Sequence, residues 1–235
     1  VGSSANCGAS ILALNAAVAE QLNLFRQEVD TLIEKGEAKE RALFSVIKRY
    51  LKECKDIRFD GNGYSAEWEK EAKKRGLDTE TSVPLMIDQY LRKSSIQMFT
   101  STGVLSKSEL HSRCEVKWEN YSMKLQIESR VLGDLVINHI LPAAKRYQTI
   151  LLQNVQGVKQ VFSASEAEKL SEQDILLIRS IENHTSAITA KVNNMNKERA
   201  RANHIDNQRE RAITFHDYVV PLMEEISQHV DASEM

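Results

Sequence analysis

The chain has 235 residues, of which 42% are hydrophobic and 27% are charged, and its formal net charge is -2. This length can hold one large domain or two small ones with a real core. The nearly balanced charge gives no electrostatic reason to expect binding to nucleic acid or to an anionic membrane. The chain contains only 9 Gly and 3 Pro, which favours long helices.

Three widely spaced cysteines argue against a disulfide framework or a thiolate zinc site, and we therefore expect a reduced, cytoplasmic protein. No apolar run approaches the roughly 20 residues of a membrane span.

The first predicted helix runs from about residue 6 to 35 and ends near Gly36, a suitable C-cap. Its apolar residues recur at steps of three and four, which makes one continuous stripe: Ile11, Leu14, Val18, Leu22, Phe25, Val29 and Leu32. A second helix is predicted to place Leu43, Ile47, Tyr50 and Cys54 on one face.

The stretch "RFDGNGYSAEW" is the least helical part of the chain. Its two glycines could cradle a phosphate, but it lacks the Lys-Ser/Thr pair of a P-loop and no strand leads into it. An ordered surface loop anchored by Phe59, Tyr64 and Trp68 is the favoured interpretation. Ser65 is predicted to cap a short helix that ends near Gly76.

Ser82 is predicted to cap the next helix, with Pro84 in its first turn, and Gly103 to end it. A long helical pattern follows and contains Pro142, where we expect a bend; a second break is expected near Pro221. The last two helices have apolar faces with heptad-like spacing, the first formed by Ile181, Thr185, Ile188, Val192 and Met195, and the second by Ile205, Ala212, His216, Val219, Met223, Ile226 and Val230.

These patterns predict an all-α fold, a bundle of long, kinked helices. We expect residues 1–235 to form a single helical region, with a possible subdivision near 36–104, where helices are short, and 105–235, where they are long.

No group of residues assembles a complete catalytic site in the sequence. His139 lies in the apolar stretch "VINHILP" and is interpreted as a core histidine. It would donate a hydrogen bond to a backbone carbonyl near Pro142 that has lost its helical donor. Cys114 is interpreted as a buried structural thiol. The segment "NKERARANHIDNQRER" mixes basic and acidic residues without aromatics, which favours a solvated face or a subunit contact over a nucleic-acid site.

Three stretches, "VGSSANCGASILALNAAVAEQL", "IRFDGNGYSAEWEKEAKKRGL" and "ESRVLGDLVINHILPAAKRYQTILLQNV", resemble the C-terminal third of type III glutamine synthetase, the large bacterial form of that enzyme. The resemblance continues through "ENHTSAITAKVNNMNKERARANHIDNQRERAITFHDYVVPLM" and covers essentially the whole chain in one order.

The resemblance implies an intact enzyme that makes glutamine from glutamate and ammonia, with ATP and Mg²⁺ or Mn²⁺. In that family a barrel strand with an active-site arginine comes directly before the stretch similar to "VGSSAN". We therefore expect this chain to be a fragment that has no catalytic, cofactor-binding or metal-binding residues of its own and is inactive alone. Ser3, Ser4 and Asn6 would pack beneath that strand and support it, or simply cap the first helix.

The partners that the resemblance implies are the rest of the same polypeptide and identical subunits, arranged in a ring-shaped homo-oligomer. We expect no binding to nucleic acid or membrane. The alternative function is a stand-alone helical module for protein interaction or oligomerisation, without catalysis.

Overall fold

The computed structural model describes residues 7–233. These residues form ten α-helices, and no strand occurs among them, so the predicted all-α fold is confirmed. The helices are α1 (Gly8–Glu34), α2 (Lys39–Glu53), α3 (Ala66–Lys74), α4 (Val83–Asp88), α5 (Lys93–Ser101), α6 (Lys107–Leu135), α7 (Leu141–Val161), α8 (Ala164–Asn203), α9 (Gln208–Thr214) and α10 (Val220–Ser233). A short 3-10 turn, Gln89–Leu91, follows α4.

The chain divides into two compact units, an N-terminal unit of Val1–Cys114 and a C-terminal unit of Glu115–Met235. In the N-terminal unit, α1 packs against α2 and α5. One small core contains Ala16, Phe99, Leu105 and Leu110, and a second contains Val29, Ala42 and Val46. The two cores lie along α1, because Ala16 and Val29 both belong to that helix.

The buried face of α2 matches the predicted one only in part. Leu43 and Tyr50 are partly buried and pack against the core as predicted, whereas Ile47 and Cys54 are exposed and the fully buried residues are Ala42 and Val46. The spacing was predicted correctly, but the small side chain of Ala42 was not counted as core. An alanine at a helix contact permits close approach of the partner helix, so α2 packs on α1 through this face.

Two predicted helix caps have different outcomes. The Ser65 side chain accepts a hydrogen bond from the backbone N–H of Trp68 at 3.1 Å, which confirms the cap of α3. Ser82 precedes α4 as predicted, but its side chain makes no capping bond. Its backbone N–H instead donates to a carboxylate oxygen of Glu80 at 2.8 Å.

In the C-terminal unit, α8 packs against both α7 and α10. All five residues predicted on the apolar face of α8 are buried, which confirms that face. Three of them, Ile188, Val192 and Met195, belong to a core that also contains Val136, Phe215 and Ile226, all of them buried. Because these residues come from three separate helical segments, this core holds the C-terminal unit together.

The helical chain continues through both Pro142 and Pro221, and each proline is preceded by a π turn. These turns are Val136–Ile140 and Phe215–Val219. The N–H of Leu141 donates to the carbonyl of Val136, and that of Val220 donates to the carbonyl of Phe215, each five residues back. Proline lacks an N–H and crowds the carbonyl four residues earlier, so a wider turn accommodates it.

The break that we expected near Pro221 therefore takes the form of a π turn. The interruption of the last helical pattern lies earlier, at residues 204–207 between α8 and α9.

Replacing Gly157 with alanine is expected to raise the free energy of unfolding by about 1 kcal/mol, because glycine is that much less favourable than alanine inside a helix. The added methyl would meet no atom within 4 Å. Gly36→Ala is the control of opposite sign, because Gly36 has a φ of 94° that an L-residue tolerates poorly. Urea denaturation followed by circular dichroism measures both, and a stability loss in Gly157→Ala would contradict the packing described for α7.

Candidate functional site

The three residues predicted to support an active-site strand, Ser3, Ser4 and Asn6, lie outside the described residues. Their predicted role stays a prediction.

The N-terminal half of α1 carries an apolar stripe that is open to solvent. Ile11, Leu14, Val18 and Leu22 are 54%, 54%, 58% and 63% exposed. Further along the same helix Val29 is buried against α2, with Phe25 and Leu32 packed beside it. Contiguous exposed apolar side chains mark interaction surfaces in soluble proteins. The stripe Ile11–Leu22 is therefore a candidate contact surface.

A second apolar surface lies on α2 and is bordered by positive charge. Phe44, Ile47 and Leu51 are exposed on one side of the helix. They line an open groove of about 430 Å³ together with four cations, Lys48, Lys52, Lys55 and Arg58. No carboxylate lines this groove, so it suits a partner surface that is apolar and acidic.

The histidines are arranged differently from the prediction. His139 is exposed, so its interpretation as a core residue is wrong. It lies in the first π turn, where Val136 takes the fully buried position and Ile140 packs against the core. The extra residue of a π turn rotates the following side chains relative to an α-helix, which moves His139 outward.

Two histidines far apart in sequence meet between α8 and α10. The Nδ1 atoms of His184 and His229 are 3.1 Å apart, and the rings meet edge to face. One of the two nitrogens donates its hydrogen and the other accepts it. His216 similarly lies 3.1 Å from the Tyr121 hydroxyl. Sequence reasoning missed both pairs, because their members are 45 and 95 residues apart.

The described residues form no group of three or more His, Cys, Asp or Glu side chains that could hold a metal ion. Cys114 is buried, as predicted, with its Sγ 3.8 Å from the carbonyl oxygen of Ile87.

The carboxylate of Glu182 lies in a groove beside Pro142 but is fully engaged in structural contacts. Its oxygen accepts hydrogen bonds from Lys145 Nζ at 2.5 Å and from Gln148 Nε2 at 3.1 Å. The hydrogen bond from Lys145, together with that from Gln148, lowers the pKa of Glu182 below its usual value. These hydrogen bonds tie α7 to α8.

The loop before α3 is an ordered surface loop, as predicted, but its anchors differ. Phe59 and Trp68 stack with ring centroids 3.7 Å apart, whereas Tyr64 is 87% exposed and anchors nothing. Arg75 closes the loop from the other end of α3, since its Nη1 donates to the carbonyls of Asp56 at 3.3 Å and Arg58 at 3.1 Å. Two loop carbonyls thus hold the guanidinium of Arg75 and fix the start of the loop against the end of α3.

Arg75→Ala is expected to open this loop while α3 stays folded. The variant removes two hydrogen bonds to backbone carbonyls, the contact of the guanidinium with the Trp68 ring at 5.3 Å, and the ion pair with Glu71 along α3 at 2.9 Å. Amide exchange in residues 56–64 should accelerate by at least about tenfold, since bonds to a charged donor contribute about 1.5–3 kcal/mol each. Lys73→Ala, which removes only an exposed pair with Glu69, is the control. Unchanged exchange in Arg75→Ala would show that Arg75 does not hold the loop.

The basic segment near the end of α8 is partly solvated and partly packed. Arg201 pairs with Glu198 at 2.7 Å and its guanidinium lies 4.3 Å from the centroid of the Tyr218 ring. Arg199 is instead partly buried, and its Nη1 is buried without a hydrogen-bond partner. The predicted solvated face therefore describes Arg201 and not Arg199.

None of the described helices combines the length and apolar character needed to cross a lipid bilayer.

The comparisons with known proteins agree on one family. A family model described as the glutamine synthetase C-terminal domain matches residues 42–159. A glutamine synthetase of Bacteroides fragilis (strain YCH46) is 44% identical over 234 residues, which cover 100% of this chain and 32% of that protein. The type-3 glutamine synthetase of Dictyostelium discoideum is 33% identical over 158 residues, 67% of this chain and 21% of that protein.

A glutamine synthetase of Butyrivibrio fibrisolvens is 25% identical over 214 residues, 89% of this chain and 30% of that protein. The chain thus spans about a third or less of the length of these relatives. The matched model covers residues from both units of this all-helical structure. On this evidence the chain belongs to the glutamine synthetase C-terminal domain family.

Proposed function

We propose that this chain is the C-terminal helical region of a type III glutamine synthetase. The intact polypeptide would make glutamine from glutamate and ammonia at the expense of ATP, and this region would serve structure and assembly. The observation that supports this proposal best is a 44% identity over 234 residues to a protein named glutamine synthetase. The matched region makes up only 32% of that protein.

In this proposal the ATP and the Mg²⁺ or Mn²⁺ are bound outside this chain. One observation supports that division. About two thirds or more of the length of these relatives lies outside the part that matches this chain. The three cysteines are thiols, which fits a reducing, cytoplasmic location.

The assembly role is supported by the apolar stripe Ile11–Leu22 of α1 and by the groove on α2. Both surfaces lie in the N-terminal unit and both expose large apolar side chains. We propose that they are covered by the rest of the polypeptide or by identical subunits in the ring-shaped homo-oligomer. A stand-alone interaction module is the second candidate, because its binding surfaces would be exposed in the same way.

An assay of phosphate release with glutamate, ammonia, ATP and Mg²⁺ tests whether catalysis depends on parts of the polypeptide outside this chain. The isolated chain should give no turnover above a blank without protein, and a longer polypeptide that contains it should form glutamine under the same conditions. Measurable turnover by the isolated chain would contradict the proposal that this chain is not catalytic. Inactivity of both would favour the interaction module.

A further inference from the structure

Two arginines from neighbouring helices of the C-terminal unit line the same surface groove without an acidic partner. Arg130 belongs to α6 and Arg199 belongs to α8, and the groove has a volume of about 530 Å³. Neither guanidinium forms an ion pair with a carboxylate of the part of the chain that the structure describes. Two like charges therefore line one groove, and neither forms an ion pair.

Arg199 shows the cost of this arrangement. Its Nη1 is buried and makes no hydrogen bond, although a buried donor on a charged group is expensive to leave unsatisfied. Burial of the guanidinium, followed by the positive charge of Arg130, lowers the pKa of Arg199 below its ordinary value. An anion between the two side chains would supply both the missing acceptor and the missing charge.

The remaining polar side chains of the groove are two amides and one carboxylate. Asn138 and Asn196 line it and can each offer N–H donors. Asp134 also lines it, and its Oδ1 accepts a hydrogen bond from the Nδ2 of Asn138 at 2.7 Å. Asp134 therefore engages Asn138 and neutralises at most half of the charge of the two arginines.

The groove also adjoins the first π turn, since Ile137 and Asn138 are both lining residues and members of Val136–Ile140. π turns are rare and often accompany functional sites. Here Pro142 explains why the helix widens, and the widened turn brings Asn138 to the rim of the groove. The arginine pair and the π turn are independent features of the sequence that meet at one place.

We infer that this groove binds a phosphate-type oxyanion between Arg130 and Arg199. A guanidinium presents parallel N–H donors that match the oxygens of phosphate, and two guanidiniums together offer more donors than a single carboxylate can accept. A tetrahedral oxyanion has enough acceptor oxygens for both arginines and a neighbouring amide. The ligand is a small anion that is free in solution.

The test is a titration of the 235-residue chain with inorganic phosphate, followed by amide chemical shifts and by calorimetry. We expect saturable binding with a dissociation constant on the order of 1 mM. The shifts should move at Gly133, Asn138 and Asn196. Arg130→Gln and Arg199→Gln should each weaken binding roughly tenfold or more. Arg201→Gln, which removes the same charge two residues further along α8, should change it less than about twofold.

Two further variants keep the test decisive. Arg199→Lys keeps the charge but not the paired donors, and it should bind phosphate several-fold more weakly while the helical signal is unchanged. Asp134→Asn should bind phosphate more tightly, because it removes the one negative charge of the groove.

The inference is overturned if phosphate does not saturate any site on the folded chain, or if Arg201→Gln weakens binding as much as Arg199→Gln. It is also overturned if acetate competes as well as phosphate does at equal concentration, because the groove would then recognise a single carboxylate.

Discussion

Replacing Phe215 with alanine is expected to lower the free energy of unfolding of the C-terminal unit by about 3–5 kcal/mol. The Phe215 side chain is 0% exposed and lies in the main core with Val136, Ile188 and Met195. It is also the first residue of the second π turn, where its carbonyl accepts the N–H of Val220. The cavity would open where three helical segments meet, so the surrounding side chains can collapse into it only in part.

Tyr147→Ala is the matched control, because this aromatic residue belongs to the same unit but is 49% exposed. Its cost should stay below about 1 kcal/mol, as is usual for surface substitutions. Urea denaturation of both variants gives the comparison. A cost for Phe215→Ala that is no larger than that for Tyr147→Ala would mean that this core does not hold the unit together.

The isolated chain is expected to self-associate through α1, and two charges placed in the stripe should abolish that association. Leu14→Glu with Val18→Glu removes two side chains that are 54% and 58% exposed. Because these positions are not core, helicity should be unchanged while the mass measured by light scattering falls to that of a monomer. Exposed apolar area of this extent is rare on stable monomers.

The control is the pair Leu170→Glu and Leu176→Glu on α8, which are 57% and 52% exposed and belong to the C-terminal unit. This variant should keep the oligomeric mass of the parent chain. If the α1 variant keeps that mass as well, the stripe Ile11–Leu22 is not the contact. If the unmodified chain is already a monomer with the start of α1 as protected from amide exchange as the core, the stand-alone module gains support.

The sequence pattern was sufficient to predict the buried face of a helix where large apolar residues determine both the spacing and the choice of face. The face of α8 from Ile181 to Met195 was predicted residue by residue, because the helix is long and its polar side is unambiguous. The cap at Ser65 was predictable for a local reason, since its bond reaches only three residues along the chain. Both features are determined by neighbours in sequence.

The sequence pattern failed to predict the buried residues where a neighbouring helix or a backbone irregularity determines which side chains are buried. On α2 the small residue Ala42 forms the contact, and periodicity of large residues cannot reveal that choice. At His139 the π turn changes the phase of the helix, so a histidine in an apolar stretch becomes exposed. Pro142 indicated an irregularity in the helix, but a proline alone does not determine whether the helix bends or widens into a π turn.

The candidate sites were harder to predict than the fold. The contact between His184 and His229 joins two helices, and so does the groove lined by Arg130 and Arg199. The spacing of residues along the chain does not determine how such helices pack against each other. Charge composition did not indicate the groove, because Arg199 is one of five basic residues that are interspersed with three acidic ones in the same segment. Only the burial of one guanidinium nitrogen distinguishes it from its neighbours.

The size of the natural polypeptide in its source cell decides whether this helical chain functions as a region of a glutamine synthetase. An antibody raised against the 26.6 kDa chain would be used to detect and to isolate that polypeptide. We predict a product about three times this mass, since the chain covers 32% of its Bacteroides fragilis relative, with glutamine-forming activity in the isolated material. A product of 26.6 kDa, isolated without that activity, would contradict the account.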